Sequence, residues 1–267
     1  MRVLVTGAGG FIGRHLVAAL PGAQAVRHDQ IAAVPLDGVD VVIHAGRHRP
    51  GDPRAWRLDE DVETTLLARV QGSAARYVML STRAVYGPTG SAPLTEQETA
   101  SPVTAYGRHK LQLEDHAQAL LGDRLTVLRL ANVFGYEWPG RTTFVGSMLD
   151  GLATRGIIRF DMAAATRRDF IPVEAAATAI ASLASRHHPG IVNVGSGCPT
   201  ACGTLAQALI DGFGRGRLVI DLDEPKDEFV LDTGVLRRRT GATVTPQNIL
   251  EAAGMAGRQL ARALSAG

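Results

Sequence analysis

Residues 2–13 read Arg2-Val3-Leu4-Val5-Thr6-Gly7-Ala8-Gly9-Gly10-Phe11-Ile12-Gly13, and this stretch decides the fold. The apolar run 2–6 is a candidate buried strand, and Gly7, Gly10 and Gly13 follow it at a spacing of three. Residues 14–20 then carry a helical pattern that Pro21-Gly22 ends. Glycine permits the tight turn and lets backbone approach a pyrophosphate with no Cβ in the way. The start of the following helix offers unpaired N–H groups and the positive end of a dipole. A glycine pattern alone is weak and can be a plain turn. Its place between a strand and a helix is what phosphate binding requires, so nucleotide binding is expected.

Outward from that stretch, short apolar runs alternate with helical patterns. Strands are read at residues 39–44 (VDVVIH), 76–81 (RYVMLS) and 125–130 (LTVLRL). Helices are read at 61–71 and 105–121, the second closed by Gly122. Strands with helices between them imply βαβ units and a mainly parallel sheet. Strands of such a sheet are buried on both faces, which explains apolar runs without alternation. Between the first helix and residue 39 the interval is too short for a full strand–helix–strand passage. The second and third strands are therefore expected to be stunted, or their connecting helix lost.

After Asn132 the texture changes, and Gly, Pro, Arg and Thr become frequent over 135–143. Helical patterns recur at 145–153 and 173–184, with short strands at 157–160 and 191–194. Thr245-Pro246 opens a last helix running toward Leu264, since proline is tolerated in a first turn. These patterns divide the chain into residues 1–132, with a return segment at about 169–194, and a smaller mixed α/β region at 133–168 and 195–267.

Composition bounds the function. A chain of 267 residues accommodates one or two domains and buries a substantial core without staples. The residues are 45% hydrophobic and 20% charged, which argues against disorder. A dispersed net charge of +2 gives no expectation of nucleic acid as a partner. No apolar stretch is long enough to span a bilayer, and the first apolar run is cut at once by glycine. A soluble cytoplasmic protein without a membrane partner is expected, and two cysteines agree with a reducing compartment. Cys198 and Cys202 have no histidine or acidic partner at metal spacing, so no metal is expected.

Tyr106 and Lys110 stand four apart in the pattern Tyr106-Gly107-Arg108-His109-Lys110, on one helix face. A free tyrosine has a pKa of about 10, and a neighbouring ammonium favours its phenolate. Tyrosine then becomes a general acid–base for a carbinol or carbonyl oxygen. Upstream, Leu80-Ser81-Thr82 ends a strand, where a hydroxyl can reach a ligand above the sheet. A Tyr and a Lys four apart are usually an exposed helix face; in series with the glycine turn they are far more specific. An acid at the end of the second strand would bind a ribose 2′-hydroxyl, and a base a 2′-phosphate. Arg27, His28 and Asp29 stand there together, and Arg27 with Arg14 tips the reading toward NADP over NAD.

Together these residues resemble the extended short-chain dehydrogenases/reductases, in the NAD-dependent epimerase/dehydratase group that acts on nucleotide sugars. The resemblance rests on Thr6 to Gly13, VVIHAG at 41–46, LSTRAVYG at 80–87 and SPVTAYGRHK at 101–110. It continues through LRLANVFG at 128–135, RDFIPV at 168–173, NVGSG at 193–197, and the tail residues Leu231-Asp232-Thr233 with Leu236-Arg237. It implies a Rossmann-like doubly wound, mainly parallel sheet with a smaller C-terminal substrate region. It implies NAD(P) bound against Gly7, Gly10, Phe11, Ile12, Gly13, Ala45 and Gly46, with Arg27 and His28 on the adenosine side. Tyr106 would be the acid–base, Lys110 its activator and ribose clamp, and Thr82 the catalytic hydroxyl with Ser81 beside it. Asn132 and Arg168 would contact the diphosphate of a nucleotide sugar. For Arg168 the competing reading is a surface salt bridge with Asp169, and for Asn132 a turn cap. The resemblance also implies pairing of two copies through the Tyr106 helix, where Leu111 and Leu113 offer apolar positions.

Dehydratases of this family carry an Asp-Glu pair after the catalytic threonine. Arg83-Ala84 stand there in this chain, so sugar dehydration is not expected. The helix asparagine of many members falls on Asp61, followed by Thr64-Thr65. The leading expectation is an NAD(P)-dependent oxidoreductase reducing a keto group of a nucleotide-linked deoxysugar. The alternative is a nucleotide-sugar epimerase using the same Thr82, Tyr106 and Lys110. A non-sugar carbonyl reductase and a dinucleotide-sensing protein without turnover stand behind them.

Overall fold

The computed structural model describes residues 1–46, 56–88, 92–139 and 143–265. The chain begins with strand β1 (Val3–Thr6), helix α1 (Phe11–Ala19), β2 (Gln24–Val26), β3 (Val41–His44), α2 (Val62–Gln71) and β4 (Arg76–Thr82). It continues through β5 (Pro93–Leu94), α3 (Ala105–Leu121), β6 (Leu125–Leu130), β7 (Asn132–Phe134), α4 (Phe144–Arg155), β8 (Ile157–Phe160) and β9 (Arg167–Pro172). The last elements are α5 (Val173–Ser185), β10 (Gly190–Val194), β11 (Pro199–Ala201), α6 (Cys202–Phe213), β12 (Arg217–Ile220), β13 (Val230–Leu231), α7 (Gly234–Thr240) and α8 (Pro246–Ser265).

The main sheet has six strands in the order β10-β6-β4-β3-β1-β2, and every neighbouring pair is parallel. Alternate side chains of each strand serve opposite faces. Val3, Val5, Val41, Ile43, Leu128 and Val192 pack with α1 and α5 on one face. Leu4, Val42, Tyr77, Met79, Leu125 and Val127 pack with α2 and α3 on the other. This is the Rossmann-like α/β fold that the sequence led us to expect. Between β2 and β3 the chain makes only a 3-10 turn at His28–Gln30 and irregular segments, so the connecting helix is lost.

The strand order reverses at β1 and β3, because the chain leaves β1 for β2 on one side and returns to β3 on the other. In open parallel sheets ligands bind at the carboxyl ends beside such a switch point. A third core, of α4, α6 and α8 with Phe134, Phe160 and Phe170, lies beyond the sheet. Leu113 is buried in the core under α2 and α3, and Leu111 packs against the other core, so Leu113 is not available to a second copy as the sequence suggested.

Candidate active site

The glycine turn closes the end of β1. Gly10 N–H donates to the Gly7 carbonyl at 2.9 Å and Gly10 caps α1 without any side-chain bond, so the first amides of the helix stay available. Gly7 has φ +69°, a conformation that favours glycine, and a Cβ there would strike the backbone of Ala45 and Gly46 at the end of β3. A Cβ on Gly13 would run into the Gly7 carbonyl, whereas Gly9 has open space around it. Backbone of β1, α1 and β3 thus forms a shallow cradle that side chains would fill, which fits a pyrophosphate. Ala45 N–H donates to the Thr6 carbonyl at 2.9 Å, and Thr6 Oγ1 bonds His44 Nδ1 at 2.6 Å, which fixes the loop bearing Ala45 and Gly46.

Other residues expected around the dinucleotide are placed differently. Phe11 is buried with its ring edge toward His15, so it supports the turn from below, whereas Ile12 is half-buried. Arg14 is taken by the Tyr136 carbonyl at 3.3 Å and Glu137 at 3.7 Å. Arg27 is exposed just after β2, 3.5 Å from Asp29. The His28 side chain lies outside the described part of the structure.

Tyr106 is the second residue of α3, which Thr104 caps by accepting from Gly107 N–H at 3.0 Å. A Cβ on Gly107 would lie 2.9 Å from Pro102 Cβ and against the Ala84 carbonyl. The missing side chain lets the Tyr106 turn seat directly on the 3-10 turn Arg83–Val85. Thr82 caps that turn, accepting from Ala84 N–H at 3.2 Å, which leaves its hydroxyl proton to donate. The turns that carry Thr82 and Tyr106 therefore pack against each other at the carboxyl end of β4. Ser81 is not part of this arrangement. It points to the other side of β4, is buried, and its hydroxyl donates to Glu114, which also holds Arg129 at 2.7 Å.

Lys110 is buried and its Nζ lies 2.9 Å from Oε2 of Glu63 on α2. The second oxygen of Glu63 accepts from Tyr77 Oη at 3.0 Å. Burial opposes the charge on Lys110, but the Glu63 carboxylate, with Tyr106 and Asp61, outweighs it and raises the lysine pKa. Burial, and then Glu63, push the Tyr77 phenol well up. Removing one member of such a buried pair costs about 3–5 kcal/mol. Asp61 caps α2 and accepts from Trp56 Nε1 at 2.7 Å. Sequence reasoning missed Glu63. Its signal was an acid in register with Leu66, Leu67 and Val70 on the buried face of α2.

Asn132 follows β6 and opens β7, which pairs with Phe170–Pro172 of β9. Its Nδ2 is enclosed and has no hydrogen-bond partner among the described residues. Arg168, on β9, donates from Nε to the Asp227 carbonyl at 3.1 Å and from Nη2 to the Lys226 carbonyl at 2.9 Å. Its guanidinium lies 4.7 Å from the Phe144 ring centre. The expected alternative, a salt bridge of Arg168 with Asp169, is not formed. Asp169 points to the opposite side of β9, is fully buried, and accepts from Ser196, Gly197 and Leu231. Cys202 is buried, which pushes its thiol up to about 12.

A sequence profile of the NAD dependent epimerase/dehydratase family matches residues 23–195, well over half of the chain. The chain belongs to this family. It is 33% identical over 156 residues to a dTDP-4-keto-6-deoxy-D-glucose reductase of Streptomyces niveus, covering 50% of this chain and 53% of that one. It therefore spans about half the length of that curated relative. It is 32% identical over 218 residues to a probable dTDP-4,6-dihydroxy-2-methyloxan-3-one 4-ketoreductase of Streptomyces antibioticus, covering 72% of this chain and 69% of that one. Among solved structures, an NAD-dependent NDP-hexosamine 5,6-dehydratase involved in tunicamycin biosynthesis superposes with a TM-score of 0.79 at 25% identity, over 96% of each chain.

In the turn after Thr82, Arg83 forms a two-pronged ion pair with the Asp227 carboxylate and lies 4.0 Å from the centre of the Phe229 ring. Asp227 carries φ +55° and its carboxylate is also 3.8 Å from Arg168. One acid, 144 positions from Arg83, thus joins the turn beside Thr82 to the β9 arginine.

Proposed function

We propose that the protein is an NAD(P)-dependent oxidoreductase that reduces a keto group of a nucleotide-linked deoxysugar. The observation that carries this reading is the seating of the Tyr106 turn on the Thr82 turn at Gly107, on the same sheet edge as the glycine cradle. NAD(P)H, when bound, supplies the hydride. Tyr106 gives its phenolic proton to the carbonyl oxygen as that oxygen becomes an alcohol, and Thr82 donates a hydrogen bond to the same oxygen. General acid catalysis of this kind contributes about 10²–10⁴-fold. Lys110 would hold the nicotinamide ribose of a bound dinucleotide. Asn132, with its enclosed amide unpaired among the described residues, and Arg168 take the diphosphate, where charge-assisted bonds are strongest.

The two curated relatives described above are sugar reductases by name and support reduction, whereas the structural neighbour is a dehydratase by name. Arg83 and Ala84 supply neither the acid nor the base of a dehydration. Arg27, exposed just after β2, supports NADP, since a base at the end of the second strand suits a 2′-phosphate. The test is consumption of NADPH or NADH with dTDP-4-keto-6-deoxy-D-glucose. Stoichiometric consumption supports a reductase. Tightly retained dinucleotide, with interconversion of sugar isomers and no net consumption, would establish the epimerase instead.

A further inference from the structure

We propose that Arg83 is a positioning residue that sets the Arg168 guanidinium for a diphosphate by holding Asp227. The inference rests on the reading of Arg168 as a diphosphate ligand and deepens it. Arg83 grips the Asp227 carboxylate with two prongs, Nη1 to Oδ1 at 2.9 Å and Nη2 to Oδ2. The backbone of the same segment directs Arg168. Its Nε donates to the Asp227 carbonyl at 3.1 Å and its Nη2 to the Lys226 carbonyl at 2.9 Å. Arg168 Nη1 makes no hydrogen bond among the described residues, so it is left for a ligand. The direction of that nitrogen is thus fixed by carbonyls that Arg83 anchors from the other side.

Neither arginine is a loose surface group. Their side chains are 17% and 12% exposed, against 41% for Asp227. The Arg83 guanidinium lies 4.0 Å from the Phe229 ring centre, and Phe229 is the backbone partner of Arg168 in an isolated parallel bridge. Residues 226–229 therefore run between the turn after Thr82 and β9, tied to both. Lys226 is bonded to Asp161 at 2.6 Å, and Glu228 accepts from the Arg167 amide at 2.8 Å, so the flanks have their own anchors. Asp227 itself carries φ +55°, a conformation that surroundings must hold. Its carboxylate meets Arg83 at contact distance and Arg168 only at 3.8 Å. A two-pronged pair fixes orientation as well as charge, which an ammonium does not do. Charge and position make opposite demands on Asp227. If charge alone mattered, removing a carboxylate beside Arg168 would strengthen the hold on an anion. If Asp227 keeps the carbonyls in place, removing it weakens that hold.

The test is calorimetric binding of dTDP and UDP to the full chain, each against its nucleoside. Arg83→Ala and Asp227→Asn should each weaken the diphosphate that wild type binds by roughly two- to tenfold and leave the nucleoside unchanged. Asparagine tolerates a left-handed φ, so Asp227→Asn removes the charge without adding strain. Arg83→Lys keeps a charge but loses the two-pronged grip, and should fall between wild type and Arg83→Ala. It decides together with Asp227→Asn if Arg83→Ala does not fold. In an Arg168→Ala background none of these substitutions should weaken binding further. An Asp227→Asn variant that binds the diphosphate as tightly as wild type, or more tightly, overturns the proposal. So do losses that add to that of Arg168→Ala, losses shared by the nucleoside as from a merely structural role, or a wild type that binds neither diphosphate. No sugar takes part in the measurement. The expected losses in a protein that reduces no keto sugar refute the proposed function alone, and unweakened binding in an active reductase refutes the role of Arg83 alone.

Discussion

The first turn of α1 rests on the carbonyl oxygen of Gly7 because residue 13 has no side chain: a Cβ on Gly13 would run into that oxygen. Gly13→Ala must push the helix off the loop or distort the turn, a form of overpacking that costs about 1–3 kcal/mol. Calorimetry should show NADPH or NADH binding weakened by roughly tenfold or more. Affinity equal to wild type would contradict the cradle.

Arg168 should matter to substrates that carry a diphosphate. Arg168→Ala removes charge-assisted bonds worth about 1.5–3 kcal/mol, or roughly ten- to 150-fold in affinity. The loss should appear in KM for a nucleotide-linked sugar and be absent for a sugar lacking the diphosphate. An equal loss for both would show that the arginine only anchors the Lys226–Asp227 segment through its bonds to those carbonyls.

Asp169 is a stability residue. Its two oxygens accept from the Ser196, Gly197 and Leu231 amides and the Ser196 hydroxyl, tying β9 to the loop after β10 and to β13. Asp169→Asn turns one acceptor into a donor facing N–H groups, at a cost of about 1–3 kcal/mol. Chemical denaturation should show that loss, and an unchanged midpoint would refute the assignment.

The strands of the main sheet were legible because both of their faces are buried, and runs such as VLVT and VVIH then carry no polar interruptions. Helix α6 was missed although Cys202, Leu205, Ala206, Leu209, Ile210 and Phe213 are spaced for one buried face. Gly203 and Gly212 lie within that pattern, and a Cβ on Gly212 would strike the backbone of Gly254, so that glycine permits close packing of α6 on α8. Adjacent opposite charges at 168 and 169 suggested a pair, but neighbours on a strand point to opposite faces. Tyr106, Lys110 and Thr82 were legible as local motifs. Their partners were not: Glu63 lies 47 positions from Lys110, and only packing of α2 on α3 joins them.

Lys110 should leave a signature in alkaline unfolding. Glu63 and its neighbours raise the lysine above its ordinary value of 10.5 in the folded protein. The folded state then binds the proton more tightly than the unfolded one. This stability is fully present below 10.5 and is lost as pH climbs through the raised value. Lys110→Met lacks the titrating group, so its deficit against wild type in denaturant melts should narrow as pH rises beyond that point. A deficit constant with pH would contradict the pairing with Glu63.

The central claim is that Tyr106 donates a proton to a keto sugar. Tyr106→Phe keeps the ring and loses one hydroxyl, so the measurement is NADPH- or NADH-dependent reduction of dTDP-4-keto-6-deoxy-D-glucose by both proteins at saturating cofactor. Turnover should fall by about 10²–10⁴-fold while dinucleotide affinity stays within experimental error of wild type. Wild-type turnover by Tyr106→Phe would show that the tyrosine is only part of a helix face, and the proposed reaction would fall with it.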